Sequence, residues 1–142
     1  MPNPSSRILA LDVGERRIGV ASAGVAAGIA SPLTTVVNGP DIMQKVRTLL
    51  AEQDAVALVL GLPRGLDGQE TAQTRVVENF AAELQKHIDI PLHWQDEALT
   101  SVKAKLELDG RGGHYAKGEI DALAATYILE DFLREHPQET RS

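Results

Sequence analysis

The first part of the chain contains three apolar segments, each separated from the next by a short polar or glycine-containing break. Residues 7–13 are mostly aliphatic, and small or β-branched residues resume after the break, which predicts two adjoining strands joined by a tight turn. The glycines of residues 24–28 predict a second turn, and residues 31–37 a third strand. Pro32 favours an edge position for that strand, because proline cannot donate a hydrogen bond to a neighbouring strand. The chain therefore opens with a three-stranded antiparallel meander.

A helical pattern and a buried strand follow. Asn38–Asp41 carries a helix-start signal with a proline near the first helical position. Apolar residues then recur with helical spacing at Ile42, Val46, Leu49 and Leu50. Residues 55–60 are an uninterrupted apolar run that ends at Gly61. A strand without alternation is covered on both faces, as in a parallel sheet flanked by helices.

The second half of the chain predicts three more helices and one strand. Asp67 and Glu70 have the spacing of a capping box, which predicts that a helix begins after them. The apolar face of that helix comprises Ala72, Val76, Val77, Phe80, Ala81, Leu84 and Ile88. A short strand is expected at residues 91–95, and helices at about residues 102–108 and 119–135.

This order of elements predicts an α/β fold with a mixed five-stranded sheet, in which the antiparallel meander continues into parallel strands flanked by helices. At 142 residues, the chain is expected to form a single domain over residues 1–142, with residues 1–6 and 136–142 flexible. Ligands of open sheets bind beyond the carboxyl ends of the parallel strands. Residues 61–68 and Asp96–Glu97 occupy that position in the sequence, and Asp12 lies near them if its strand is central.

Composition narrows the range of functions. The chain has no cysteine, which excludes disulfides and thiolate zinc sites and fits a reducing compartment. It has no apolar run long enough to span a membrane and no apolar signal segment at its start, so we expect a soluble, cytoplasmic protein without a membrane partner. The net charge of −6 argues against nucleic-acid binding through bulk positive charge. Any such contact requires a local basic patch.

Asp12 is the first candidate for chemistry. It lies in an otherwise apolar strand, where an ionised carboxylate is costly unless a cation or hydrogen bonds compensate. One interpretation is structural, with Asp12 capping the turn through the amides of Gly14 and Glu15. The other is a metal or phosphate site.

Two further acids lie in positions that suit such a site. Asp121 shares one face of the last predicted helix with Ala124, Ala125 and Ile128, so it points toward the sheet from the first turn. There the helix dipole alone also stabilises a carboxylate. Glu97 follows the fifth strand, either as a solvated loop residue or as a pocket residue. Because strand residues alternate, only one of Asp96 and Glu97 can face the same side as Asp12.

Carboxylates from three separate elements suit a hard divalent cation such as Mg²⁺ or Mn²⁺. Two such ions, about 3.5–4 Å apart, hold the attacking and leaving oxygens of a phosphodiester displacement. The residue types alone leave this interpretation and that of three unrelated structural acids about equally open.

Four motifs occur in order between residues 8 and 132. They are Asp12-x-Gly14-x-x-Arg17-Ile18-Gly19-Val20-Ala21, Gly61-Leu62-Pro63 with Asp67-Gly68, Asp96-Glu97 with Leu99-Thr100-Ser101, and Lys117 ahead of Ile120-Asp121-x-x-Ala124-Ala125. Together they resemble the YqgF/RuvX family, which is described as Holliday junction resolvases and as pre-16S ribosomal RNA nucleases. The resemblance implies an RNase H-like fold and a hydrolase that cleaves phosphodiester bonds as an endonuclease with two Mg²⁺ or Mn²⁺ ions. It assigns catalysis and metal binding to Asp12, Glu97 and Asp121.

The chain departs from the family pattern at two points. The family commonly has an arginine directly after the glutamate of the third motif, where this chain has Ala98. Ala98 puts one contact with the phosphate backbone in doubt, but it does not affect the predicted metal ligands. The last motif is also less basic than is usual, with Lys117 followed by Gly118 and Glu119.

Several basic residues lie next to the predicted cleft and are candidates for contacts with nucleic-acid phosphates. They are Arg16, Arg17, Arg64, Lys103, Lys105, Arg111, His114 and Lys117. Any one of them is also compatible with an ordinary solvated surface charge. Arg17 has a second alternative, a structural pair with an acidic group behind the sheet. Tyr115 and His114, in a glycine-rich segment, are further candidates for stacking on bases.

The expected partner is nucleic acid, either precursor ribosomal RNA during ribosome biogenesis, with ribosomal particles as the wider context, or branched DNA. Two other functions compete with a nuclease. Asp-x-Gly in a strand–turn–strand also opens kinase and ATPase folds, but those enzymes need a second domain for which 142 residues leave no room. A catalytically weak RNA-binding factor for ribosome assembly is compatible with Ala98 and the acidic net charge. The sequence does not distinguish a monomer from a homodimer.

Overall fold

The computed structural model describes residues 5–63, 71–96, 110 and 117–136. Within these ranges the elements are, in chain order, β1 (Arg7–Val13), β2 (Arg17–Gly24), β3 (Ala30–Val37), α1 (Ile42–Glu52), β4 (Ala55–Leu62), α2 (Ala72–Gln85), β5 (Leu92–Asp96) and α3 (Lys117–Glu135). The helix predicted at about residues 102–108 lies outside the described residues. None of the described helices is long and apolar enough to cross a membrane.

The five strands form one mixed sheet in the order β3-β2-β1-β4-β5. β1 pairs antiparallel with β2, and β2 with β3, while β1 pairs parallel with β4, and β4 with β5. The predicted meander and the predicted parallel strands are therefore both confirmed. β1 is the central strand, which is the condition for Asp12 to lie near the carboxyl ends of the other parallel strands. Pro32 lies on the edge strand β3, as predicted.

The alternation of side chains along β1 divides the core into two layers. Leu9, Leu11 and Val13 pack with residues of α1 and α2 on one face of the sheet. Ile8 and Ala10 pack on the other face with α3, whose contributions are Ala125, Ile128, Leu129, Phe132 and Leu133. Burying an aliphatic side chain of this size stabilises the fold by about 1.5–3 kcal/mol. Both faces of β4 are buried as well, which confirms the interpretation of its continuous apolar run.

The start of α2 differs from the prediction. The N-cap is Thr71, which forms a capping box with Thr74, so the proposed role of Asp67 and Glu70 is wrong. Thr74 is fully buried and its hydroxyl donates to the carbonyl of Pro63. Val76, which was predicted on the apolar face, is 46% exposed. Burying Val77 one position further along the helix turns Val76 toward solvent.

Residues near both ends of the described chain contact the core elements. Ser6 is buried, its hydroxyl donates to Asp54 at 3.3 Å, and its carbonyl accepts from the amide of Val25 at 2.9 Å. Ser6, the last residue of the segment predicted to be flexible, is thus bonded to two other parts of the chain. At the other end, the ring of His136 stacks on Phe132 with a centroid distance of 4.4 Å.

Candidate active site

The carboxyl ends of the three parallel strands lie side by side at one edge of the sheet. Leu11 of β1 is in register with Leu60 of β4, and Leu62 of β4 with Asp96 of β5. Asp12 follows Leu11 and is the penultimate residue of β1. It is half-buried in the centre of this edge, where open sheets bind their ligands.

Strand alternation assigns Asp12 to the face of the sheet that α3 covers. Ile8 and Ala10, two and four residues earlier, both pack in the α3 layer, and successive side chains of a strand point to opposite faces. Asp12 is directly paired with Gly19 of β2. Directly paired residues of antiparallel strands have side chains on the same face, with Cβ atoms about 4.5–5.5 Å apart. The carboxylate of Asp12 therefore lies on the same side as the helix.

Gly19 is the point at which the helix backbone meets the sheet. A Cβ atom added at Gly19 would lie 1.9 Å from the backbone oxygen of Asp121 and 2.8 Å from the amide nitrogen of Ala122. No side chain fits in this space, so the close approach of α3 requires glycine at position 19. Because Asp12 is the partner of Gly19, this contact brings Asp12 and Asp121 to the same part of the edge. The sequence patterns indicate both acids, but they do not show the role of Gly19.

Asp121 makes an ion pair with Arg17. The Nε atom of Arg17 donates to Oδ2 of Asp121 at 2.7 Å, and the two side chains are 39% and 23% exposed, respectively. This contact matches the structural alternative for Arg17, although its partner is one of the three candidate catalytic acids. Arg16, the neighbouring residue in the turn, is exposed. It makes no ion pair with any of the residues that the structure describes.

The turn between β1 and β2 is held by hydrogen bonds that the sequence did not predict. The amide of Gly14 donates to the carbonyl of Arg17 at 2.9 Å, and a Cβ at position 14 would lie 2.6 Å from that oxygen. The side-chain amide of Asn38 donates to the carbonyl of Gly14 at 2.9 Å. The side-chain amide of Gln73, in the first turn of α2, donates to the carbonyl of Val13 at 3.1 Å. These bonds fix the backbone on the carboxyl side of Asp12.

The start of α3 is attached to the edge strand of the sheet. The hydroxyl of Thr35 in β3 donates to the carbonyl of Gly118 at 2.7 Å. This bond and the contact at Gly19 hold the first turns of α3 over β2 and β3. Asp121, in the second turn, is thereby positioned over the carboxyl edge.

The structure describes only part of the predicted site. Among the candidate acids it describes Asp12 and Asp121, and it brings them to one face. Lys117 begins α3, and its side chain is not among the described groups. The remaining predicted residues lie outside the described ranges: Glu97, Arg64, Lys103, Lys105, Arg111, His114 and Tyr115. Within the described ranges, no three His, Cys, Asp or Glu side chains are grouped closely enough to hold a metal ion.

Comparisons with known proteins agree with the predicted fold. The structure is similar to that of the fowlpox virus Holliday junction resolvase, with a TM-score of 0.55 over 91% of this chain and 98% of that one. At 9% sequence identity this similarity concerns the fold alone, and it supports the predicted RNase H-like architecture.

Closer relatives are found by sequence. A protein of Roseiflexus sp. strain RS-1 is 40% identical over 137 residues, covering 94% of this chain and 97% of the relative. One of Thiobacillus denitrificans is 43% identical over 130 residues, covering 89% of this chain and 90% of the relative. Both carry the name "Putative pre-16S rRNA nuclease". The family model for RuvX, described as Holliday junction resolvase, matches residues 6–135, and the chain therefore belongs to the RuvX family.

Proposed function

We propose that the chain is a metal-dependent nuclease that hydrolyses phosphodiester bonds of nucleic acid, with the 5′ end of precursor 16S ribosomal RNA as its substrate. The names of its relatives at 40–43% identity support the reaction and the RNA substrate. This substrate implies action in the cytoplasm, on RNA in the context of ribosomal particles. The family description favours branched DNA as the alternative substrate.

One structural observation carries the proposal. Asp12, on the central strand, is paired with the glycine against which the backbone of Asp121 packs. Two acids that are far apart in sequence therefore lie on the same face of the sheet, near its carboxyl edge. Oxygen ligands for a hard cation must converge from separate elements in this way, which favours a metal site over two unrelated structural acids.

The alternation of β5 supports Glu97, rather than Asp96, as the third acid. His93 contacts Phe132 of α3 at a centroid distance of 5.1 Å, and Gln95 donates to Glu135 of α3 at 2.9 Å. Both residues therefore lie on the α3 face. Glu97 has the same parity in the alternation, and Asp96 has the opposite parity. We propose Glu97 as the residue that joins Asp12 and Asp121.

The donor set fits Mg²⁺ or Mn²⁺, because carboxylate oxygens are the ligands that these ions prefer. Asp12, Glu97 and Asp121 would hold the ions. When bound, a pair of such ions activates water as the nucleophile and stabilises the leaving oxygen. The contribution of the protein is to hold the carboxylates in place, and the hydrogen bonds from Asn38 and Gln73 to the carbonyls of Gly14 and Val13 do so for the strand end that carries Asp12.

We propose that the backbone of the substrate is bound by basic residues around this edge. Arg16 is exposed in the turn that follows Asp12, where its charge is accessible to a phosphate. The other proposed contacts are Arg64, Lys103, Arg111, His114 and Lys117. The net charge of −6 makes such a local set necessary, since the molecule as a whole repels nucleic acid.

The test is to incubate the protein with labelled precursor 16S RNA and with a labelled four-way DNA junction, in Mg²⁺, in Mn²⁺ and in EDTA. We expect metal-dependent cleavage of the RNA. Asp12→Asn should reduce cleavage to the level seen in EDTA while the protein still folds, because asparagine has nearly the same size as aspartate but does not supply a carboxylate ligand. Asp41→Asn is the matched control, since Asp41 is exposed beside α1 and pairs with Lys45 at 3.5 Å.

The outcomes separate the competing functions. Cleavage of the junction alone would change the substrate to branched DNA. Cleavage that persists in purified Asp12→Asn would refute the assignment of the site. RNA binding in EDTA, without cleavage by the wild-type protein when Mn²⁺ is restored, would favour an assembly factor with the nuclease fold.

A further inference from the structure

The ion pair between Arg17 and Asp121 is the strongest feature of the edge that the proposed function leaves unexplained. Its 2.7 Å length is that of a charge-assisted hydrogen bond. An arginine that neutralises a carboxylate offers less net charge to a phosphate. The pair therefore argues for a role of Arg17 that differs from that of its neighbour Arg16.

Both partners are attached to rigid backbone. The carbonyl of Arg17 accepts from the amide of Gly14, and Arg17 is in register with Val37 of β3. The backbone of Asp121 packs directly on Gly19, and the preceding turn is bonded through Gly118 to Thr35. An ordinary exposed ion pair contributes little because it must order two long side chains. Here the short side chain of Asp121 and the fixed backbones reduce that cost.

The geometry of the pair restricts the carboxylate of Asp121. The bond to Asp121 uses the Nε–H group of Arg17, a donor with a fixed direction in the plane of the guanidinium. A carboxylate that accepts from a fixed donor loses rotational freedom before any ligand arrives. Lysine, whose ammonium is a point charge on a flexible stem, does not impose that restriction.

We propose that Arg17 is a positioning residue, which orients the carboxylate of Asp121 for metal binding instead of contacting nucleic acid. This inference rests on the proposed function, because it gives Arg17 a role in the metal site through which that function acts. It predicts that Arg17 affects metal affinity and turnover without affecting the binding of nucleic acid.

Arg17→Lys isolates the positioning effect. The substitution keeps the positive charge near Asp121, so electrostatic repulsion of a metal ion is nearly unchanged, and it removes the directed Nε–H donor. We expect the Kd for Mn²⁺, measured by calorimetry without nucleic acid, to rise at least threefold. Arg47→Lys is the matched control, because Arg47 is exposed on α1, on the opposite side of the sheet, and its variant should bind Mn²⁺ as the wild type does.

Nucleic-acid binding in EDTA is the second measurement, with labelled precursor 16S RNA as the probe and salt concentration as the variable. A residue that contacts a phosphate contributes about one unit to the slope of log Kd against log salt concentration. We expect Arg17→Gln to change the slope by much less than one unit. Arg17→Lys, which keeps the charge, should also leave the Kd within about twofold of wild type. Arg16→Gln, at a proposed phosphate contact, should lower the slope and raise the Kd.

The inference is overturned if Arg17→Lys binds Mn²⁺ like the wild type, or if Arg17→Gln changes the salt slope as Arg16→Gln does. Thermal unfolding in EDTA shows whether each variant is folded, and Arg17→Lys preserves the test if Arg17→Gln is not. A wild-type protein that cleaves neither RNA nor a DNA junction would refute the proposed function alone. The Mn²⁺ measurement would still decide the role of Arg17.

Discussion

The two faces of the sheet are built from side chains of different size. On the α1 and α2 face, Leu9, Leu11 and Val13 of β1 pack with large aliphatic residues. On the α3 face, β1 and β4 contribute the larger Ile8 and Val59. The other contributions of the central strands are small residues and one carboxylate, namely Ala10, Asp12, Gly19, Ala21, Ala23 and Ala57.

The difference in size determines how closely each helix approaches the sheet. Large side chains separate the backbones of α1 and α2 from the strands, whereas α3 comes into backbone contact at Gly19. The α1 and α2 face buries more of the volume of the strand side chains than the α3 face does. On the other face, the small side chains let the backbone of Asp121 contact Gly19, the strand partner of Asp12. We expect substitutions on the first face to affect mainly stability and those on the second to affect mainly the proposed metal site.

The largest expected change in stability comes from Leu11→Ala. Leu11 is 1% exposed, and removing its side chain should cost about 2–5 kcal/mol of the free energy of unfolding. Leu11 directly precedes Asp12 but faces the opposite layer. Mn²⁺ should therefore still raise the Tm of this variant, as binding to the folded state requires. Asp12→Asn should show the reverse pattern, with stability retained and the Mn²⁺ effect lost.

Urea denaturation gives the free energies, and thermal unfolding with and without Mn²⁺ gives the shifts in Tm. If Leu11→Ala lost the Mn²⁺ effect while folded, or if Asp12→Asn kept it, the division of roles between the two faces would be wrong.

Gly19→Ala should affect both stability and the site. Its new methyl group would overlap the backbone oxygen of Asp121 at 1.9 Å, so the helix must move. Overpacking of this kind costs about 1–3 kcal/mol. Because the displacement also carries Asp121 away from Asp12, we expect the Mn²⁺ affinity to fall more than the stability alone explains. Calorimetry on the folded variant tests this, and an unchanged Kd for Mn²⁺ would show that the Gly19 contact does not position the site.

The sequence was sufficient to predict the strands of the sheet, because their side chains follow a regular pattern. The continuous apolar run of β4 and the proline of β3 correctly indicated a buried strand and an edge strand. The same patterns placed Asp12 in the first strand, but only the strand order of the folded sheet shows that this strand is central. Glu97 stays a prediction, because it lies outside the described residues.

The parts that sequence analysis missed depend on contacts between distant backbones. Nothing in a pattern of apolar residues shows that Gly19 faces a helix that begins almost a hundred residues later. Asn38 and Gln73 donate to backbone carbonyls. Because every residue has a backbone carbonyl, the sequence does not show which residues accept these bonds. The capping box of Thr71 and Thr74 is hard to predict because its last residue is threonine, whereas the usual motif ends in glutamate or glutamine, as Asp67 and Glu70 suggest.

Asn38→Ala tests whether the turn beside Asp12 is fixed by its hydrogen bonds. The variant loses the bond to the carbonyl of Gly14 but keeps its own backbone bond to Arg16, at 2.8 Å. The loss should cost about 0.5–1.5 kcal/mol. We expect faster hydrogen exchange at the amide of Gly14, since that group closes the turn. Equal exchange rates in the variant and the wild type would mean that the bond from Gly14 to Arg17 holds the turn alone.

The smallest effect is expected at a second glycine of the same interface, Gly118. A Cβ at this position would lie 3.5 Å from the Cβ of Thr35, an ordinary van der Waals distance. Gly118→Ala should therefore leave α3 in place and stabilise the protein by about 0.5 kcal/mol, because alanine loses less backbone entropy in a helix than glycine. Urea denaturation measures the gain. If Gly118→Ala instead weakened Mn²⁺ binding as much as Gly19→Ala, the whole start of α3 would be intolerant of added volume, and the effect could not be assigned to the contact between Gly19 and Asp121.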